Sequence, residues 1–134
     1  MFKVTHLDHV GIRVTDRERA ISFYEGFGFR VDPAEEAPEF KATGLISNYG
    51  MRIHLIYNSP RAHSEGNVLL DVAEKWPGYT HAAFIVDDMD DLVEWLDKQN
   101  ILITEGPVVY GHGRRKTCFV RDPDFNVVEF NQIL

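Results

Sequence analysis

Thr80-His81-Ala82-Ala83-Phe84-Ile85-Val86-Asp87 reads as a buried strand with one imidazole at its start. Asp8-His9-Val10-Gly11-Ile12-Arg13-Val14-Thr15, 72 positions earlier, has the same form. Each stretch runs directly into an acidic cap and an amphipathic segment. One unit is therefore written twice, and the repeat sets the frame for every other residue.

Working outward from the first copy, Val10, Ile12 and Val14 share one face of a strand over residues 6–14, and His9, Gly11 and Arg13 share the other. The second face is polar and meets either solvent or a site. Thr15 as N-cap with Glu18 at N3 forms a capping box for a helix of about three turns. Ala20, Ile21, Tyr24 and Phe27 supply its apolar stripe, and Gly26 and Gly28 mark its end. Phe29–Val31 begins a second strand, Asp32–Pro38 is expected to be an acidic loop, and Phe40–Asn48 is a third strand. In the fourth, Met51–Asn58, Ile53, Leu55 and Tyr57 oppose Arg52, His54, Ile56 and Asn58.

Residues 59–79 read as a long connection. In the second copy Asp88 caps a helix whose Met89, Leu92, Val93 and Leu96 fall at i, i+3, i+4 and i+7, with Asn100 at its end. Ile101–Thr104, Lys116–Arg121 and Val127–Ile133 are the remaining strands. Gly106–Arg115 is expected to be a loop, and Asp122-Pro123-Asp124 a turn. Along Val127–Ile133, Glu129 faces away from Val128 and Phe130.

The chain thus forms a single α+β domain of two strand–helix–three-strand modules, about 6–58 and 80–133, joined by a linker at about 59–79. Its 134 residues are 44% hydrophobic and 12% aromatic, enough for a packed core. The net charge of −7 argues against nucleic acid as a partner. The sequence carries neither a membrane span nor a signal-peptide pattern. One cysteine, Cys118, forms no internal disulfide, so a cytoplasmic location is expected.

Overlaying the copies pairs His9 with His81 and His54 with Glu129. Each sits on the polar side of an otherwise apolar strand. Two units related by a pseudo-twofold bring these four side chains to one point. Three imidazoles and a carboxylate suit one divalent ion, Zn, Ni, Co, Mn or Fe(II), with positions left for water or substrate. A lone strand histidine is more often a hydrogen-bonded structural residue; repeat-equivalent placement distinguishes these four. His6, His63 and His112 have no repeat partner and read as structural or exposed.

These residues give the chain its resemblance to the vicinal oxygen chelate superfamily, which includes glyoxalase I, methylmalonyl-CoA epimerase, extradiol dioxygenases and bleomycin-resistance proteins. The carriers are the two modules, His9, Ile53-His54-Leu55-Ile56-Tyr57-Asn58, His81, and Arg121-Asp122-Pro123-Asp124-Phe125-Asn126-Val127-Val128-Glu129. The resemblance implies paired βαβββ modules forming a curved mixed sheet around a metal held by His9, His54, His81 and Glu129. It also implies that Arg13 and Asn58 contact the glutathione part of a substrate, and that small members of the family are often homodimers. Two departures stand out. His54 occupies a position that is usually glutamate in glyoxalase I, which leaves Glu129 as the only carboxylate of the set. Phe125 stands where the family turn usually has glycine, leaving Asn126 to take any left-handed conformation.

The expected function is that of a lyase or isomerase moving a proton next to a carbonyl. The metal grips adjacent oxygens of a small anionic or thiol-conjugated substrate and holds an enediolate, while Glu129 shuttles the proton. Arg13, Arg52, Asn58 and the Arg114-Arg115 pair suit an anionic substrate, and Trp76, Tyr49 and Tyr110 can cover the cavity. An Fe(II) ring-cleaving dioxygenase using His9, His81 and Glu129 is the alternative enzyme. A drug-binding resistance protein is the non-catalytic alternative.

Overall fold

A computed structural model describes residues 1–134. The chain forms two compact units, Met1–Ala62 and His63–Leu134. In the first unit β1 (Val10–Arg13) is followed by α1 (Arg17–Glu25), β2 (Phe29–Ala37), a 3₁₀ turn at Pro38–Phe40, β3 (Ala42–Ser47) and β4 (Arg52–Ile56). The sheet order is β1-β4-β3-β2, with β1 parallel to β4 and the other pairs antiparallel. In the second unit β5 (His81–Ile85), α2 (Met89–Lys98), β6 (Ile103–Tyr110), β7 (Arg115–Arg121) and β8 (Val127–Ile133) repeat the plan. The order there is β5-β8-β7-β6, again with one parallel pair, β5 and β8. The fold is α+β, and each unit is a βαβββ module.

Alternation places the core. Ile53 and Leu55 of β4 are buried with Ile12 and Val14, and they face Ala20, Ile21 and Tyr24 of α1, which packs on β2 and β4. In the second unit Met89 and Leu96 of α2 are fully buried, and Val120, Val128 and Phe130 lie beneath them. Burying each such side chain contributes about 1.5–3 kcal/mol. Cys118 is buried in this layer, and loss of solvent pushes its thiol up to about 11, so it stays protonated and unreactive at neutral pH.

Helix α2 begins as its sequence indicates. The Asp88 carboxylate accepts from the backbone N–H groups of Asp90 and Asp91, and left-handed Asn100 follows the C-terminus. Helix α1 starts one residue later than expected. Asp16, not Thr15, is its N-cap, accepting from Arg19 N at 2.8 Å. A carboxylate is the stronger acceptor at the positive end of a helix, and Glu18 is left to pair with Arg17. The left-handed residue after α1 is Gly28, at φ 88°, whereas Gly26 remains right-handed.

Two expected loops are strands. All of Asp32–Pro38 except Pro38, which opens the 3₁₀ turn, continues β2 through a bulge, because four residues, 32–35, stand opposite Gly44 alone between the Val31–Leu45 and Glu36–Thr43 pairs. Residues from Gly106 to Tyr110 continue β6 through bulges and a cis Gly106-Pro107 bond. Proline and clustered acids are tolerated at both places because β2 and β6 are sheet edges. The outermost residues of two other expected strands do not pair: β1 starts at Val10, and β3 starts at Ala42 after the 3₁₀ turn.

Residues 57–80 contain neither helix nor strand. Residues 67–71 are tied down within the second unit. Asn67 Nδ2 donates to Phe125 O, Arg121 donates to Asp71 at 2.9 Å, and Asp71 also accepts from Asn67 N. Those hydrogen bonds, led by the one from Asn67 N, hold the Asp71 carboxyl below its usual range.

The turn before β8 corrects a further expectation. Phe125, at φ 65°, takes the left-handed conformation itself, while Asp122 accepts from the N–H groups of Asp124 and Asn126. A β-carbon in that region costs about 1–2 kcal/mol, and Phe125 is 42% exposed, so packing offsets only part of that cost. Phe125→Gly should therefore raise stability in denaturant unfolding by about 0.5–1 kcal/mol, after the larger chain entropy of glycine is subtracted. A loss of stability would mean that ring contacts outweigh the backbone strain.

Candidate active site

In the first unit His9 lies just before β1 and His54 at the middle of β4. Their rings stack 3.6 Å apart and 15° from parallel. The register makes room for them, since His54 has Gly11 beside it on β1 and Gly44 on β3. Asp8 Oδ2 is 2.6 Å from His9 Nδ1, a bond that fixes the proton there and leaves Nε2 with its lone pair. The same bond holds the Asp8 carboxyl below its ordinary value. Burial, and then the neighbouring His9, pull the His54 imidazole down, which favours the neutral, ligating form at pH 7.

The second unit repeats the device. His81 Nε2 lies 2.7 Å from Glu129 Oε2, and Thr80 Oγ1 is 2.8 Å from His81 Nδ1. Asp8 and Thr80 are repeat-equivalent, each bonded to Nδ1 of the histidine that follows it. The His81 ring stands edge-on to Phe119, which flanks Glu129 on β7, while Ala83 flanks it on β5. Glu129 Oε1 accepts from Asn131 Nδ2 at 2.9 Å, and Asn131 Oδ1 accepts from Thr117 Oγ1 at 2.6 Å.

Each unit thus brings two of the four expected ligands together, and neither gathers three His, Cys, Asp or Glu side chains able to hold a metal by itself. The donor chemistry fits a borderline divalent cation. Two imidazoles with bonded Nδ1 atoms, one imidazole kept neutral, and a carboxylate oxygen beside an imidazole nitrogen are what such an ion takes.

Arg13 Nε donates to Asn58 Oδ1 at 3.0 Å, joining the two expected substrate contacts across the end of the sheet. Arg52 shares its charge with Asp32 at 3.1 Å and Glu35 at 3.8 Å. Tyr110 donates to Glu105, which raises its phenol above the ordinary value. Trp76 and Tyr49 are exposed.

One site residue, Glu35, had no place in the expected set. Its Oε2 is 3.8 Å from His54 Nε2. The β2 bulge carries it there over Gly44, whose absent β-carbon would lie 2.4 Å from Glu35 Cβ and 3.3 Å from His54 Cδ2. Only the acidic run at Asp32, Glu35 and Glu36 hinted at it, and a bulge leaves no period-2 pattern to read. Gly44→Ala should drive Glu35 off His54 and cost about 1–3 kcal/mol in thermal unfolding. Adding Glu35→Gly, which removes the opposing β-carbon, should restore much of that loss. An unchanged melting curve in the single variant would show that the bulge yields freely.

A family model for the Glyoxalase/Bleomycin resistance protein/Dioxygenase superfamily matches residues 6–130. The chain belongs to this superfamily. Among glyoxalase-superfamily relatives, a lactoylglutathione lyase of Neisseria meningitidis serogroup A is 26% identical over 92% of this chain and 88% of its own length. A probable chloroplastic lactoylglutathione lyase of Arabidopsis thaliana is 29% identical over 87% of this chain, which spans only 32% of that protein. A glyoxalase/dioxygenase crystal structure from Nostoc punctiforme shares the glyoxalase fold, with a TM-score of 0.76 at 20% identity over 96% of this chain and 91% of its own. No helix is long and apolar enough to cross a membrane.

Proposed function

We propose that the protein is a metal-dependent lyase or isomerase of the glyoxalase type, acting on a small thiol-conjugated or anionic substrate. The observation that carries this reading is the His81–Glu129 pair, 2.7 Å apart, with both residues held by a second hydrogen bond on the side away from the pair. In this reading His9, His54, His81 and Glu129 hold one divalent ion, Zn, Ni, Co, Mn or Fe(II). When bound, the ion supplies Lewis-acid polarisation of adjacent substrate oxygens.

The chain's own residues do the rest. Glu129 takes a proton from the carbon next to the substrate carbonyl and returns it to the neighbouring carbon, so the net change is an isomerisation without oxidant or reductant. Asn131 holds Oε1 and His81 Nε2 lies 2.7 Å from Oε2, so Glu129 must release one of these two contacts to carry the proton. On the His54 side Glu35 supplies a second carboxylate. Arg13 and Asn58, already bonded to each other, are the contacts for an anionic part of the substrate. Arg52 is a third contact, weakened by the charge it gives to Asp32 and Glu35. The relatives named lactoylglutathione lyase support a glutathione thiohemiacetal as the first substrate to try. The buried lone cysteine suits a reducing, cytoplasmic setting, and we expect a homodimer.

Turnover of a glutathione–ketoaldehyde thiohemiacetal by protein loaded in turn with Ni, Zn, Co and Mn tests the reading. Product formation without O₂ uptake supports it. O₂ uptake with a catechol and Fe(II) would replace it with a ring-cleaving dioxygenase. Tight binding of a drug by protein that takes up no metal would replace it with a resistance protein.

A further inference from the structure

We infer that Thr117 and Asn131 are positioning residues that clamp Glu129 for metal binding, an inference that rests on the metal-dependent reading above. The register dictates the arrangement. Asn131 lies two residues after Glu129 on β8, hence on the same face, and Thr117 of β7 is its cross-strand partner. The bonds run in one direction. The Thr117 hydroxyl donates to Asn131 Oδ1 at 2.6 Å, and the Asn131 amide then has its N–H₂ turned to Glu129 Oε1 at 2.9 Å. A carboxylate with Oε1 occupied has one rotation left, the one that presents Oε2 to His81 Nε2.

Both clamp residues are almost completely buried, Thr117 at 1% and Asn131 at 5% exposure, on the sheet face that also carries Phe119 and Glu129. Folding alone does not call for them, since a buried cross-strand pair of apolar residues of the same shape serves a sheet at least as well as a hydrogen-bonded polar pair. Their cost is recovered in what they do to Glu129. Without the clamp the carboxylate has two oxygens to offer and several rotamers to offer them in, and an ion that needs one oxygen in one place binds more weakly.

The test is the affinity of the whole protein for Ni or Zn alone, measured by competition with a chromophoric chelator, with apo-protein melting recorded alongside. Asn131→Leu and Thr117→Val should weaken metal binding by about 10- to 100-fold, while Thr117→Ser, which keeps the hydroxyl, should bind as the parent does. The double variant Thr117→Val with Asn131→Leu should fold and still bind weakly, which separates the clamp from a structural role. In a Glu129→Gln background, Asn131→Leu should add little further loss, because the clamp acts through Glu129. If the parent binds metal and Asn131→Leu binds it equally well, the clamp is wrong and the function reading stands. If the parent binds neither ion, the function reading fails and the clamp fails with it.

Discussion

Replacing His81 by alanine is expected to abolish the metal uptake proposed above while leaving the fold in place. His81 supplies an imidazole nitrogen 2.7 Å from Glu129 Oε2, and its other nitrogen is already committed to Thr80. Outer-shell changes at metal sites cost about 10- to 100-fold in affinity, and loss of a direct ligand should exceed that range. The fold should tolerate the change, because His81 sits at the first position of edge strand β5, and the core below it is made by Val128, Phe130 and Leu96. Elemental analysis after desalting, with circular dichroism on the same sample, reads both quantities. Full metal occupancy in a folded His81→Ala protein would remove His81 from the site.

Glu129→Gln should separate binding from chemistry. Glutamine keeps one oxygen for the ion, but an NH₂ group takes the place of the other oxygen, and it cannot carry a proton. At equal metal loading kcat should fall by about 10²- to 10⁴-fold with KM little changed. Glu35→Gln should fall less, because Glu35 Oε2 is 3.8 Å from His54 Nε2 rather than in direct hydrogen-bond contact. Equal turnover of Glu129→Gln and the parent at matched loading would take the proton away from Glu129.

The elements that could be read from the sequence are those with a local rule. Asp88 and the Met89–Leu96 stripe announce α2, and alternation through Val127–Ile133 gives both β8 and the direction of Glu129. Overlaying the copies paired His9 with His81 and His54 with Glu129, and within each unit the structure brings one member of each pair together, His9 beside His54 and His81 beside Glu129. What escaped were features without a period. The bulge opposite Gly44 and the cis-proline segment of β6 look like loops, since proline, glycine and clustered acids mark loops everywhere except at a protected edge. Glu35 was hidden for that reason. Asp8 and Thr80 were in plain view beside the histidines, yet their role depends on a side-chain bond that sequence does not show. The Thr117–Asn131 pair needed the β7–β8 register.

The measurement closest to the central claim is metal content per chain in protein purified without added metal or chelator, repeated after reconstitution with Ni, Zn, Co, Mn and Fe(II) in turn. The four-ligand reading predicts about one divalent ion for each set of His9, His54, His81 and Glu129. Folded protein that takes up none of the five ions would contradict it.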